Sequence, residues 1–582
     1  RMRRIIDNGR LVQRLFWVGA SGFFASSYAL FSGNITKLEL LYTYPPCGRL
    51  DANPGMALDE IGHVATVVSM LVVGNLADLW GRKRLYGYEL LLLIVATLGI
   101  VQASEGFRSR APDGTVQGTM DMYAWLAFWR FCLGLAISAE TPLVAIITAE
   151  WVRTKSRGRI MAAIFAVQPL ARLVGYGVAL AALRLISRAN GLSPDSVGST
   201  GDVDGELPKH VADQVWRWAA GIGIIPALVP IGFRFTIPET PLYYADILLD
   251  TVKGAKTSAW LYMTADSPPE PSHNTAPTGA ADDTDAASAA SETFRRRKWY
   301  AGAVHCLRTT PAGRNLALIS ALWICSDTAW YCLSLESLAS ANTLWPDRST
   351  TCTDANLSLY HDLSHSATRF MLVVSIGSLL GSAALIAVIN RVHRRVLLMT
   401  TCGALAALFA VAGAVLLAAG EEAPVATAAV DVLFGLMHYF FTLGPRTLLL
   451  IMAAELFPTA YRGTFYSIAC AAGRVGAIAI RPVIGRTTGL DRALGIRLVL
   501  VVVLMVACVV VSYFLPEVQR VSRDDDGETG LDAEEGGAEK GVGLGFMTRV
   551  RPPRGWIAWV FPKLETMTLE EIAPNLHERE RI

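Results

Sequence analysis

Long apolar runs separated by short polar stretches recur along most of the chain, and the runs are as long as a helix must be to cross a lipid bilayer. A hydrocarbon core about 30 Å thick takes roughly 20 helical residues. The stretches 396–420 and 498–516 reach that length without a single charged residue. Allowing isolated charges in the other runs gives spanning helices near 14–34, 57–77, 85–103, 122–149, 158–184, 216–236, 315–338, 367–389, 395–419, 424–451, 462–484 and 496–515, twelve in all. The first run follows Arg1, Arg3 and Arg4 and could imitate a secretion signal. It is too long for one and lacks a small-residue cleavage site, so it is expected to be retained.

Composition supports the pattern. A chain 52% hydrophobic and only 18% charged, with mean hydropathy +0.38, has lipid as its main solvent, which excludes a disordered protein, a nucleic-acid binder and most soluble enzymes. A formal net charge of +2 carries no steer, so the position of each charge does. Basic clusters stand at Arg82-Lys83-Arg84, at Arg153, Lys155, Arg157 and Arg159, and at Arg391, Arg394 and Arg395, after the second, fourth and eighth spans. Lys and Arg in short loops stay on the cytoplasmic side, which predicts that both termini face the cytoplasm. Two glycosylation sequons, at Asn34 and Asn356, fall in opposite-side loops. Cys47 and Cys352 share that side, either as a disulfide between the halves or as two unrelated thiols. No Cys/His cluster has zinc-ligand spacing, and neither metal nor cofactor is expected.

The organisation expected is an N-terminal six-helix bundle over 1–236, a cytoplasmic linker over 237–313, a C-terminal six-helix bundle over 314–516 and a cytoplasmic tail over 517–582. The linker portion 267–290, rich in Pro, Ala, Asp, Ser and Thr, cannot bury a core. It leads to Arg295, Arg296, Arg297 and Lys298, a candidate contact with anionic lipid. The tail holds an acidic, Gly-rich segment over 524–539.

Six spans, a linker and six spans invite a search for duplication. Ala149-Glu150, six residues and Arg157-Gly158 repeat as Ala454-Glu455, six residues and Arg462-Gly463. Less clearly, Gly74-Asn-Leu-Ala-Asp78-Leu-Trp-Gly81-Arg82-Lys83 aligns with Ile386-Ala-Val-Ile-Asn390-Arg-Val-His-Arg394-Arg395. A duplicated bundle predicts a cavity between halves that opens alternately to either side. Asp78, Arg82, Glu150, Arg157, Glu455 and Arg462 are the candidate cytoplasmic gate, with Glu150 and Arg157 bridging neighbouring helix ends. The same residues would also serve to set topology and cap helices.

The segment Gly74–Lys83 resembles the signature of the major facilitator superfamily. Asp78-Leu-Trp-Gly-Arg-Lys-Arg-Leu-Tyr86-Gly87-Tyr-Glu89-Leu, Ile237-Pro-Glu-Thr-Pro241, Gly444-Pro445 and Glu455-Leu-Phe-Pro-Thr-Ala-Tyr-Arg462 are similar to segments of its phosphate:proton symporter branch, over about 14–516. The resemblance implies an all-α twelve-helix fold in two pseudo-symmetric bundles. It also implies phosphate bound in the central cavity, proton-coupled uptake, and a eukaryotic plasma membrane. Trp323, Asp327 and Tyr331 match the family's site and share one helical face by their i, i+4, i+8 spacing. Gln168 matches a span-five glutamine and Glu89 an acidic position of span three. Independently of the family, a carboxylate at Asp327 is costly in a membrane unless protonated or paired. The other reading of the stripe is aromatic packing with one structural Asp.

The chain departs from the family at several of these positions. Ser26 and Ala29 stand where the family has aspartates, Glu140 replaces an aspartate, Thr141 a tyrosine, Arg446 an asparagine and Arg474 a lysine. Arg172 lies one turn from Gln168, and Arg481 is a further candidate. Guanidiniums offer forked donors to oxyanions, so Arg172, Arg446 and Arg474 facing one cavity favour an anion. Each could instead pair with Glu140, Asp327 or Glu336. The expected function is a non-enzymatic, monomeric secondary transporter of inorganic phosphate. Gln168, Trp323, Asp327, Tyr331, Arg446, Arg474 and Arg172 would bind the anion, and Asp327, Glu140 and Glu89 would carry protons. The rivals are a transporter of a larger organic anion, such as a glycerophosphodiester, and a nutrient receptor without net flux.

Overall fold

At Gly223 and at Gly444-Pro445, glycine and proline set where a helix breaks within an apolar run. The computed structural model describes residues 9–43, 52–104, 106, 108–110, 116–118, 120–152, 154–190, 209–235, 237, 239–240, 243, 299–332, 368, 371–419, 424–487 and 493–517. The helices of the first half are α1 (Gly9–Thr43), α2 (Ala52–Trp80), α3 (Tyr88–Val101), α4 (Met122–Trp151), α5 (Thr154–Phe165), α6 (Val167–Ala189), α7 (Lys209–Gly221) and α8 (Ile224–Arg234). A helix over 299–309 leads into the second half. That half comprises α9 (Ala312–Cys332), α10 (Ile376–Val388), α11 (Arg394–Ala419), α12 (Pro424–Leu443), α13 (Pro445–Leu456), α14 (Arg462–Thr487) and α15 (Ala493–Tyr513).

Among the described residues, nine helical stretches are long and apolar enough to cross a membrane, and 373–388 and 497–513 are shorter apolar helices. α9 occupies the seventh place, and its Asn315 and Ser326 are buried. Three expected spans are broken. The fifth divides into α5 and α6 at Ala166, and the sixth into α7 and α8 at Ile222 and Gly223, where a Cβ on Gly223 would come within 2.7 Å of the Tyr28 ring. The tenth divides at Gly444: Pro445 has no N–H to donate backward and opens α13 at its first turn. Among the described residues, one feature departs from an all-helical fold, a small antiparallel ribbon pairing Arg108–Arg110 with Val116–Gly118. α4 then starts at Asp121, whose side chain accepts from the backbone N–H of Tyr123 and Ala124 at 2.9 and 3.2 Å.

Within the first half α1 packs on α6 and α7, and α2 on α4; within the second α9 packs on α14 and α15, and α10 on α12. The main pairings that join the halves are α2 with α14, and α10 with α5 and α6. These are the second and eleventh, and the fifth and eighth, spans, so the joint follows the internal repeat. Close approach at α2–α14 requires glycine. A Cβ on Gly463 would lie 2.7 Å from both the Gly74 carbonyl oxygen and Asp78 Oδ1. Outward surfaces are apolar, as in the exposed stripe Val499, Val503, Val506 and Val510 of α15, which suits contact with lipid tails. Most of the linker, the tail beyond Glu517, Cys47, Cys352, the Asn356 sequon, Glu336 and the Arg481 side chain lie outside the described residues.

Candidate functional site

At the end of the bundle that carries the basic loops, the halves are latched by buried polar groups. Gly81, held at φ 104°, turns the chain from α2 into the short helix Arg82–Leu85. Only glycine adopts that geometry without strain. Arg82, with no exposed surface, lies 3.3 Å from Asp78 and 3.0 Å from Glu150, and donates to the Thr459 carbonyl at 3.0 Å. Glu150 also accepts from Arg462 at 3.3 Å and from the Thr240 hydroxyl at 2.6 Å. Asp78 reaches across to the start of α14, accepting from the backbone N–H of Gly463 at 3.1 Å and of Thr464 at 2.8 Å, and from the Thr464 hydroxyl at 2.9 Å. A carboxylate there satisfies orphan N–H groups and meets the positive end of the helix dipole. Glu239 accepts from the N–H of Arg82 and of Lys83, each at 3.1 Å. Burial pushes its carboxyl above the usual range, against the opposing pull of the Arg82 guanidinium.

The second copy of the repeat builds the counterpart. Arg394 pairs with Glu455 as Arg82 pairs with Glu150, and Gly158 packs against Arg394 and Asn390 as Gly463 packs against Asp78. Between Glu150 and Arg157 there is an electrostatic interaction, while the hydrogen bonds of each go elsewhere. Arg157 donates to the Val152 carbonyl at 3.4 Å, just as Arg462 donates to the Phe457 carbonyl at 3.1 Å, and the donors on Glu150 are Arg82, Arg462 and Thr240. Each arginine is thus held by the carbonyl five residues before it, which tightens the turn joining two helices.

Midway along the halves lie two clusters, both served by α9. In the first, Arg474 of α14 is 3.7 Å from Asp327 and donates to the Tyr331 hydroxyl. Arg474 and Asp327 keep 26% and 22% of their side-chain surface accessible, so this ion pair is not sealed in the core. Gly473 makes room for it: a Cβ there would lie 3.1 Å from both Asp327 Oδ2 and Trp323 Cβ. Tyr331 meets the ring of His63, on α2 of the other half, edge-on at 5.1 Å. Trp323 is buried against Tyr466, 5.7 Å between centroids. In the second cluster, Arg446 Nε donates across the halves to Gln168 Oε1 at 3.3 Å, with its guanidinium 4.3 Å over the Trp330 ring. Arg172 is buried one turn beyond Gln168, 4.3 Å over the Phe31 ring.

Glu140 and Glu89 are not brought to Asp327. Both are bound by Arg234, from the end of α8, which bonds Glu89 and reaches Glu140 Oε2 at 2.6 Å while lying 4.0 Å over the Tyr86 ring. Gly22 of α1 leaves the space, since a Cβ there would overlap the guanidinium. Ala29, at one of the family's aspartate positions, packs with Leu90, Leu93, Ala136 and Ala227 in an apolar cluster. Sequence reasoning missed Arg234, His63, Thr464 and the buried His438. The signal for Arg234 and His438 was there, as lone polar groups in apolar runs. Thr464 had none, because its role comes from a residue some 386 positions away.

The family model of the Major Facilitator Superfamily matches residues 56–480. The chain is 28% identical over 535 residues to the repressible high-affinity phosphate permease of Neurospora crassa, covering 89% of this chain and 87% of the relative. It is 29% identical over 472 residues to an inorganic phosphate transporter of Saccharomyces cerevisiae, covering 80% and 74%. Among solved structures, the proton:xylose symporter XylE bound to 6-bromo-6-deoxy-D-glucose superposes with TM-score 0.63 at 16% identity, covering 88% of this chain and 97% of that one. That likeness carries the fold. With a family model spanning most of its membrane region and two halves joined along the lines of an internal repeat, this multi-pass membrane chain belongs to the Major Facilitator Superfamily.

Proposed function

We propose that this chain carries inorganic phosphate across a membrane together with protons, by alternating access of one central site. The observation that carries the reading is the Asp327–Arg474–Tyr331 cluster, facing the opposite half while the basic end is latched. The phosphate permeases and transporters among its relatives support it.

In the cycle proposed, Arg474 is held by Asp327 until a proton neutralises the carboxylate. Neutralisation removes both the ion pair and the repulsion between carboxylate and phosphate, so proton and anion bind together. Gln168 and Arg446, joined across the halves, and Arg172 supply further donors, and Trp323 and Tyr331 close the site. Exchange of faces then requires Arg82, Glu150, Arg462 and Asp78 to give up their shared bonds. Glu140 and Glu89, two carboxylates on the single guanidinium of Arg234, form a second place for a proton within the first half. The protein acts as a monomer in the plasma membrane with both termini cytoplasmic, so that the latched end faces the cytoplasm.

The test is uptake of labelled phosphate in cells lacking their own phosphate transporters, with and without a proton gradient. Uptake abolished by Asp327→Asn and by Arg474→Ala is the expected result. Unchanged uptake in both variants removes their assigned roles. Arg172 and Arg446 supply more positive charge than the family pattern, which favours a second reading, a larger organic anion. Stronger competition by a glycerophosphodiester than by unlabelled phosphate would establish that one instead.

A further inference from the structure

His63 of α2 and Tyr331 of α9 belong to different halves, and their rings meet edge-on at 5.1 Å. Helix geometry fixes where this contact stands. Asp78 of the latch follows His63 on the same unbroken helix, and at 1.5 Å per residue the two lie about 22 Å apart along its axis. α9 runs away from the latched end, because the helix before it docks there: Trp299 Nε1 donates to the Ala460 carbonyl at 3.3 Å, and the Tyr300 hydroxyl to Asn75 Oδ1 at 3.0 Å. Tyr331 is one turn further along α9 than Asp327, about 6 Å on. The ring pair therefore stands on the side of the Asp327–Arg474 ion pair opposite to the latch.

Each ring is fixed to its own half. Next to His63, α2 presses on α4: a Cβ on Gly134 would come within 2.7 Å of the Gly62 carbonyl oxygen, and Ser69 donates to the Leu135 carbonyl at 2.7 Å. Next to Tyr331, α9 lies equally close to α14, where a Cβ on Gly476 would come within 2.6 Å of the Thr328 hydroxyl. Helices packed this closely move as one body, so the distance between the rings follows the distance between the halves. Tyr331 also has a second attachment. Its hydroxyl accepts from Arg474, whose guanidinium lies 5.5 Å from the ring centroid. An edge contact between two rings is weak beside the charge-assisted bonds of Arg82, Glu150 and Asp78, so this closure parts more readily than the latch.

We propose that His63 gates the anion site on the side opposite the latch: its ring, packed on Tyr331, closes the way to Arg474 and Asp327, and phosphate enters and leaves as the two rings part. This rests on the phosphate reading above and adds to it the residue that controls access. The 26% and 22% of side-chain surface that Arg474 and Asp327 keep accessible agree with a closure made by two rings rather than by a sealed core. His63 acts through Tyr331 and is a positioning residue, not a ligand. A gate that closes alike over the free and the occupied site sets how fast the anion enters and leaves. A ligand sets how tightly the anion is held.

The experiment follows the release of bound labelled phosphate from the purified full-length protein, together with its equilibrium affinity. His63→Ala is expected to release phosphate several-fold faster with an affinity within about twofold of the wild type, because entry speeds up with exit. His63→Phe keeps a ring of similar size and is expected to release at the wild-type rate. His63→Gln, polar and without a ring, is expected to release as fast as the alanine variant. An affinity weakened several-fold by His63→Ala would make His63 a ligand and overturn the gate, and so would an unchanged release rate; either result leaves the phosphate reading intact. Should His63→Ala fail to fold, the other two variants decide: faster release by His63→Gln than by His63→Phe supports the gate, and equal rates overturn it. No phosphate binding by the wild-type chain overturns both the gate and the phosphate reading.

Discussion

Several single residues are placed by what a neighbour needs rather than by their own chemistry. Gly22 is the clearest case, since any side chain there occupies the space of the Arg234 guanidinium that binds Glu89 and Glu140. Gly22→Ala is expected to destabilise the purified protein by about 1–3 kcal/mol, the usual cost of overpacking, read as a lowered melting temperature in detergent. Arg234→Met has a different cause and a larger effect. It strands two buried carboxylates, and breaking a buried ion pair from one side costs about 3–5 kcal/mol. A melting temperature lowered no more by Arg234→Met than by a surface arginine change would contradict that ion-pair account.

The elements set how the latch works. α14 begins where Asp78 caps it from α2, so the contact that stabilises the end of one helix also holds the two halves together. Asp78→Asn removes the charge that pairs with Arg82 and meets the helix dipole, and is expected to loosen the α2–α14 joint. Ser467 is fully buried against Gly74 in that joint. A cysteine placed there by Ser467→Cys should react several-fold faster with a membrane-impermeant thiol reagent when Asp78→Asn is also present, measured against the parent protein with its native cysteines. An unchanged rate would show that the cap is not what keeps the end closed.

For the whole molecule, one residue from each of the duplicated Glu–Arg pieces, Glu150 and Arg462, meets the other across the halves. Arg82 and Arg462 come from opposite halves and share Glu150. Residues with a common partner are not energetically independent. The effects of Arg82→Ala and Arg462→Ala on closure, read through the same cysteine, are expected to depart from additivity by about 0.5–3 kcal/mol. Additive effects would mean that the two arginines act separately.

The sequence alone determined that this is a helical membrane protein of two related halves, because spanning helices and repeats are written in local composition and spacing. Trp323, Asp327 and Tyr331 were legible from their period as one face of one helix, and as a candidate site only through the family resemblance. Tertiary structure decided the partners. Nothing local tells that Asp327 lies beside Arg474, that Arg446 crosses to Gln168, or that Glu89 and Glu140 share Arg234 instead of joining Asp327. It also decided the breaks at Ala166, Gly223 and Gly444, since apolar runs continue through them and only packing selects where a helix bends. The physical reason is common to all of these. Hydrophobicity acts on each segment by itself, whereas an ion pair or a close glycine contact exists only once two distant segments have met.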